Sequence, residues 1–301
     1  MRETYVVHVT RKCNMKCLYC YEKEKHIDGE NYSWKQIKEY ILNLVKYRTS
    51  DFFHIEFLGG EPMLNWNNIK RAYELFESMN LKIWGYTITT NGTILSPEII
   101  EYLKRNPKIR IAVSLDGKEW SNQLRIMGNN NNSYKTAMKN IKTLLENDIS
   151  IFVHMVTHPY NIAYLEENIE HFYNEGIKDL GVGTIESTMK IDKEYCDLYV
   201  NELNKVSNKI IDGTLAGLNI DVLESLKPEE DVRSYIKNES GEVVGESYGR
   251  SGNDISHQDV YDVNRCNEKT EIGRMIHQIR KKVYLNHQRN KITFSGMENK
   301  E

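Results

Sequence analysis

Tyr5-Val6-Val7-His8-Val9-Thr10-Arg11-Lys12-Cys13-Asn14-Met15-Lys16-Cys17-Leu18-Tyr19-Cys20 is the stretch on which the reading of the whole chain turns. It opens as a run rich in β-branched residues, which predicts a strand, and closes as a polar turn carrying three cysteines within eight residues. Reactive side chains placed directly after a strand are typical of α/β folds, whose sites gather at the C-terminal ends of strands. The same order recurs downstream. Strand patterns at 52–58, 82–89, 109–115, 151–157 and 177–183 alternate with helical patterns that include 34–47, 69–79 and 193–211. Six or seven such units in a row predict an α/β fold with a parallel sheet. The Cys, Gly, Asn and Asp at the strand ends favour a partial (β/α)6 TIM-like barrel, with a doubly wound sheet as the competitor.

The 301 residues are 40% hydrophobic and 28% charged, enough to build one large domain or a domain with an appendage. After about Gly213 the alternation fails, and Gly241, Gly245, Gly249 and Gly252 punctuate a polar segment that leads to a basic helical pattern at 271–288. This divides the chain into a core of 1–215 and a C-terminal extension of 216–301 without an assigned role. Asn129 to Asn132 form a low-complexity loop tip. The formal net charge of −3 leaves no basic footprint for nucleic acid or for an acidic membrane surface. No basic region followed by a long apolar stretch marks a signal peptide or a membrane span, which makes a cytoplasmic protein the expectation.

Five cysteines, three of them in one short loop, point to a reducing compartment and metal chemistry in place of a disulfide framework. Three thiolates on a 4Fe-4S cubane leave one iron open, and an open iron can chelate the amine and carboxylate of an amino acid. S-adenosylmethionine (SAM) carries both groups. A zinc site built from the three thiols and His8 or His26 is the competing reading, although structural zinc sites usually pair one C-x2-C with a second.

With its C-x3-C-x2-C spacing the chain resembles the radical SAM superfamily, and the likeness continues from strand to strand. Gly59-Gly60-Glu61-Pro62 after the second strand is similar to the family's GGEP motif, Thr90-Asn91-Gly92 ends the third strand, and Ser114-Leu115-Asp116-Gly117 ends the fourth. The resemblance implies that Cys13, Cys17 and Cys20 hold a 4Fe-4S cluster and that Tyr19 packs near the SAM adenine. It further implies that Gly59, Gly60, Glu61 and Pro62 receive the SAM amino group, with Asn91, Ser114, Asp116 and Arg125 lining the rest of the site. The activity implied is reductive cleavage of SAM to a 5'-deoxyadenosyl radical that abstracts hydrogen from a substrate. From Asp116 through Arg125 to Asn140-Ile141 the sequence also looks like the subgroup of anaerobic sulfatase-maturating enzymes and peptide maturases. That implies a peptide or protein substrate and a low-potential electron donor of flavodoxin or ferredoxin type. The departure is at the C-terminal side, where Cys196 and Cys266 are too few for the four-cysteine auxiliary cluster that the subgroup usually carries. Cys266 is the candidate hydrogen-atom donor that quenches a product radical. A small-metabolite substrate and a non-enzymatic zinc-binding module are the alternatives to the peptide reading.

Overall fold

A computed structural model describes residues 3–20, 22, 29–128, 133–185, 191–224, 230–251 and 274–286. In chain order the elements are β1 (Glu3–Thr10), α1 (Trp34–Tyr47), β2 (Phe52–Gly59), α2 (Trp66–Ser78), β3 (Lys82–Thr90), α3 (Pro97–Arg105), β4 (Ile109–Ser114), α4 (Ser133–Glu146), β5 (Ile151–Thr157), α5 (Leu165–Asn174), β6 (Asp179–Thr184), α6 (Lys193–Ile211), β7 (Asn219–Ile220), α7 (Asp221–Glu224), β8 (Glu230–Lys237) and β9 (Val243–Ser251). A further helix, α8, covers 274–286. The early strands and helices fall within a few residues of the sequence patterns, and α1 and α6 match theirs at both ends.

Contacts group the chain into two compact units, one of 1–115, 122–152 and 230–252, the other of 116–121, 153–229 and 253–301. In the first unit β1 pairs in parallel with β2, β2 with β3 and β3 with β4. Register follows from burial. Tyr5, Ile55 and Tyr86 stand side by side with Ile109, as do Phe57, Ile88 and Ile111, and all are at most 2% exposed. This apolar face belongs with the buried stripes of the helices, Ile37, Ile41 and Leu44 of α1 and Ile69, Ala72 and Phe76 of α2. Spacings of three and four put each set on one side of its helix. Ser33 and Gln36 cap α1 reciprocally, and Ser96 followed by Pro97 starts α3.

The structure alters the reading of the region after Gly213. The glycine-punctuated segment is a hairpin, β8 and β9, and β9 runs antiparallel to β1 from Glu3↔Gly249 to Val6↔Glu246. Asn238 and Gly241 make its turn: the Gly241 amide donates to the Asn238 carbonyl at 2.9 Å, and Gly241 adopts a φ of 82°. Polar residues and glycines inside these strands hid them from any test that looks for apolar alternation.

In the second unit β5, β6 and β7 pair in parallel. Asp192 caps α6 by accepting from the Tyr195 amide. Ile276, Ile279 and Val283 form the buried stripe of α8, and Arg280 Nε donates to the Val222 carbonyl at 2.6 Å. No described helix is long and apolar enough to cross a membrane.

Candidate metal centre

The three thiols lie on the turn that follows β1, and each is half-buried. Burial pushes the Cys13 thiol up to about 11, with Glu61, Cys17 and Cys20 adding negative potential around it. The Met15 amide donates to Cys13 Sγ at 3.4 Å. Thiols placed in this way stay protonated until a cation binds them, since metal binding is what deprotonates such ligands. Among the described residues no three His, Cys, Asp or Glu side chains gather at the spacing of a single ion. A cubane places its three thiolates on three different irons, and three thiols on one turn with no fourth cysteine beside them in sequence suit a cluster that keeps one iron open.

The neighbouring motifs hold this turn in place. Gly60 donates through its amide to the Thr10 carbonyl at 3.2 Å, and the Glu61 amide donates to the Lys12 carbonyl at 2.7 Å. A Cβ on Gly60 would stand 2.2 Å from the Lys12 oxygen, so the close approach of the two loops requires glycine there. Glu61 is 0% exposed. Its Oε1 accepts from the Thr90 hydroxyl at 2.7 Å and the Met63 amide at 3.0 Å, and its Oε2 from the Asn91 amide at 2.7 Å. Burial holds the carboxyl above the usual carboxylate range, and these three donors with the nearby Arg125 charge offset only part of that rise. Enclosed in this way, the carboxylate ties the Gly59–Pro62 turn to the end of β3. Pro62 opens the short helical turn Pro62–Asn65 behind it.

Asn91 reaches the cysteine turn directly, with Nδ2 donating to Asn14 Oδ1 at 2.8 Å, while Asn14 Nδ2 donates to Thr93 Oγ1 at 2.8 Å. From the other side, the segment after β4 lies against the turn: Lys16 and Leu18 donate through their amides to the Ile126 and Leu124 carbonyls, and Met15 bridges Met127. Between those carbonyls Arg125, 8% exposed, donates through Nη1 to the Tyr19 hydroxyl at 2.6 Å. Arg125 was named by the resemblance, whereas Thr93, Leu124, Ile126 and Met127 and a tying role for Asn14 had no part in the sequence reading.

Ser114 is the last residue of β4 and half-buried. Asp116, fully buried in the second unit, accepts from the Val156 amide at 3.1 Å. Cys196 is fully buried on α6. Cys266, the proposed quencher, lies outside the described residues, as does His26 of the zinc reading.

Residues 7–172 match the family model described as the Radical SAM superfamily. The chain is 25% identical over 211 residues to the sporulation killing factor maturation protein of Bacillus subtilis, covering 67% of this chain and 49% of that one. It is 28% identical over 141 residues to a cysteine-type anaerobic sulfatase-maturating enzyme of Clostridium novyi, covering 44% of this chain and 37% of that one. Among solved structures, native anSMEcpe with bound AdoMet and the Cp18Cys peptide superposes with a TM-score of 0.61 at 16% identity, over 74% of this chain and 64% of that one. That likeness shows the shared α/β part-barrel class. In each case the match stops short of two thirds of the relative's own length.

Proposed function

The chain belongs to the radical SAM superfamily, which uses a 4Fe-4S cluster and SAM, and we propose that it modifies a peptide. The observation that carries the proposal is the cysteine turn clamped by the ends of β2 and β3 and by the segment Leu124–Met127, supported by the maturase relatives. When bound, the cluster would supply the electron that cleaves SAM to methionine and a 5'-deoxyadenosyl radical able to abstract a substrate hydrogen. Cys13, Cys17 and Cys20 would hold it. Tyr19, fixed by Arg125, would offer its ring to the adenine, and the Gly59–Pro62 turn would offer backbone acceptors to the SAM amine while Glu61 keeps that turn in shape. Asn91 and Ser114 would add to the SAM surface of the first unit, and Asp116 has its SAM role from the resemblance alone. The division into a core of 1–215 and an extension, a cytoplasmic setting, and a flavodoxin or ferredoxin as reductant belong to the same proposal.

The test is anaerobic reconstitution with iron and sulfide, followed by dithionite and SAM. About four irons and four sulfides per chain and release of 5'-deoxyadenosine are expected, both abolished in Cys17→Ala. Zinc without iron, or full turnover by Cys17→Ala, would defeat the chemistry. A mass change in a short peptide encoded beside this gene would support the substrate class, and a change only in a small metabolite would replace it.

A further inference from the structure

The cysteine turn also presents side chains to water. Lys12 adjoins Cys13 in sequence, Lys16 and Leu18 adjoin Cys17, and all three are exposed. Their Cα atoms therefore stand about 3.8 Å from those of two proposed cluster ligands. The segment after β4 extends this surface. The Lys16 amide donates to the Ile126 carbonyl at 2.7 Å and the Leu18 amide to the Leu124 carbonyl at 2.9 Å, in antiparallel order with Met15 opposite Met127. Ile126 is thus the diagonal neighbour of Leu18, a separation that long side chains span. Leu18 is 52% exposed and Ile126 40%, whereas Met15 and Leu124 of the same ladder are buried.

The charge here has one sign. Residues 12–18 and 122–128 hold Lys12, Lys16 and Arg125 and no acidic residue, in a chain whose formal net charge is −3. Among the described residues neither lysine ammonium enters an ion pair or a side-chain hydrogen bond. An apolar centre with a charged rim is the anatomy of a protein interface, and a small one of single sign suits the brief encounters of electron carriers. Electron tunnelling falls steeply with distance, so a carrier must meet the chain where the cluster ligands come close to water.

We infer that the face formed by Lys12, Lys16, Leu18 and Ile126 receives the reductant, a small acidic protein that carries its electron on a flavin or an iron-sulfur centre. Acidic side chains of the carrier meet the two lysines, and its apolar contact surface covers Leu18 and Ile126. One electron leaves the carrier, which is oxidised by one unit, and arrives at the centre held by Cys13, Cys17 and Cys20. No bond of the chain forms or breaks. The inference rests on the cluster reading of the proposed function and is independent of the peptide substrate.

The experiment uses cluster-loaded protein with SAM, held anaerobically, and two probes, an acidic flavodoxin and an acidic ferredoxin. Isothermal titration with the oxidised carriers reads binding, and release of 5'-deoxyadenosine is driven either by the prereduced carrier or by dithionite. At least one carrier is expected to bind, more tightly at low salt. Lys16→Glu should weaken that binding about tenfold and flatten its salt dependence. Ile126→Ser should weaken it about fivefold and leave the salt dependence in place. Carrier-driven release should fall in step in both variants, with iron content and dithionite-driven release unchanged. If Ile126→Ser loses iron, Lys16→Glu decides by itself. Binding as tight as wild type in Lys16→Glu, no binding by either carrier, or an equal loss of dithionite-driven release would overturn the inference. So would a wild-type dimer that Ile126→Ser splits, since the face would then belong to a second copy of the chain. Carrier binding that depends on Lys16, together with no dithionite-driven release from wild type, would leave the face standing and defeat the radical chemistry.

Discussion

Cys13 shows how much a single residue's surroundings decide. With its thiol pushed from 9.0 to about 11, the cluster-free protein should carry about a hundredfold less thiolate there than an ordinary exposed cysteine at neutral pH. Iodoacetamide alkylation followed by peptide mass analysis should find Cys13 slow at pH 8 and about tenfold faster for each unit gained below 11. A fast reaction at pH 7 would contradict the burial. His54 makes the opposite shift, pushed down to about 4 by burial and then by Arg110. The folded chain therefore binds fewer protons than the unfolded chain between pH 6.5 and 4, and stability present above 6.5 drains away across that window. The loss is on the order of 3 kcal/mol, and His54→Gln should flatten it in urea melts taken at several pH values. Glu61 was legible as a motif residue but not as a tie, because the sequence does not show which donors surround a carboxylate. Replacing it with alanine strands the buried Met63 and Asn91 amides. Glu61→Ala should cost about 2–4 kcal/mol of stability. Unchanged melting would return the residue to direct ligand binding.

Among the elements, strands and helices with clean periodicity were readable in advance, and those built from polar residues were not. α1 declares itself through its Ser33–Gln36 capping box and the Ile37, Ile41 and Leu44 stripe. β8 and β9 declare little except the turn at Asn238 and Gly241, because a strand that is paired through its backbone can carry almost any side chain on an open face. The loops at the strand ends depend on approach distances, which no spacing in the sequence encodes. Gly60 tests this level. With its Cβ placed 2.2 Å from the Lys12 oxygen, Gly60→Ala must part the second loop from the cysteine turn. The expected outcome is a chain that keeps its circular dichroism spectrum and loses most of its iron on gel filtration. Full iron retention would show that the two loops have room to separate.

Across the whole molecule, the order of βα units and the four motif-bearing strand ends were visible from the start, whereas the return of residues 243–251 to the first strand was not. A ligand that binds only the folded state should register globally. SAM at a hundred times its dissociation constant should add about 2.7 kcal/mol to the cluster-loaded protein, read as a rise in melting temperature, and add nothing to Cys17→Ala. An equal rise in both would place SAM away from the cysteine turn. The pairing of β1 with β9 also has a consequence for how the chain is made. Glu3 meets Gly249, so the strand that launches the cysteine turn emerges from the ribosome long before the partner that covers its second edge. At translation speeds of about 5–20 residues per second, that edge stays bare for roughly 12–50 seconds. Synthesis itself thus sets an interval in which β1 is open to wrong partners, and a chaperone or a slowed codon run acting within it would govern yield without touching any residue of the finished site.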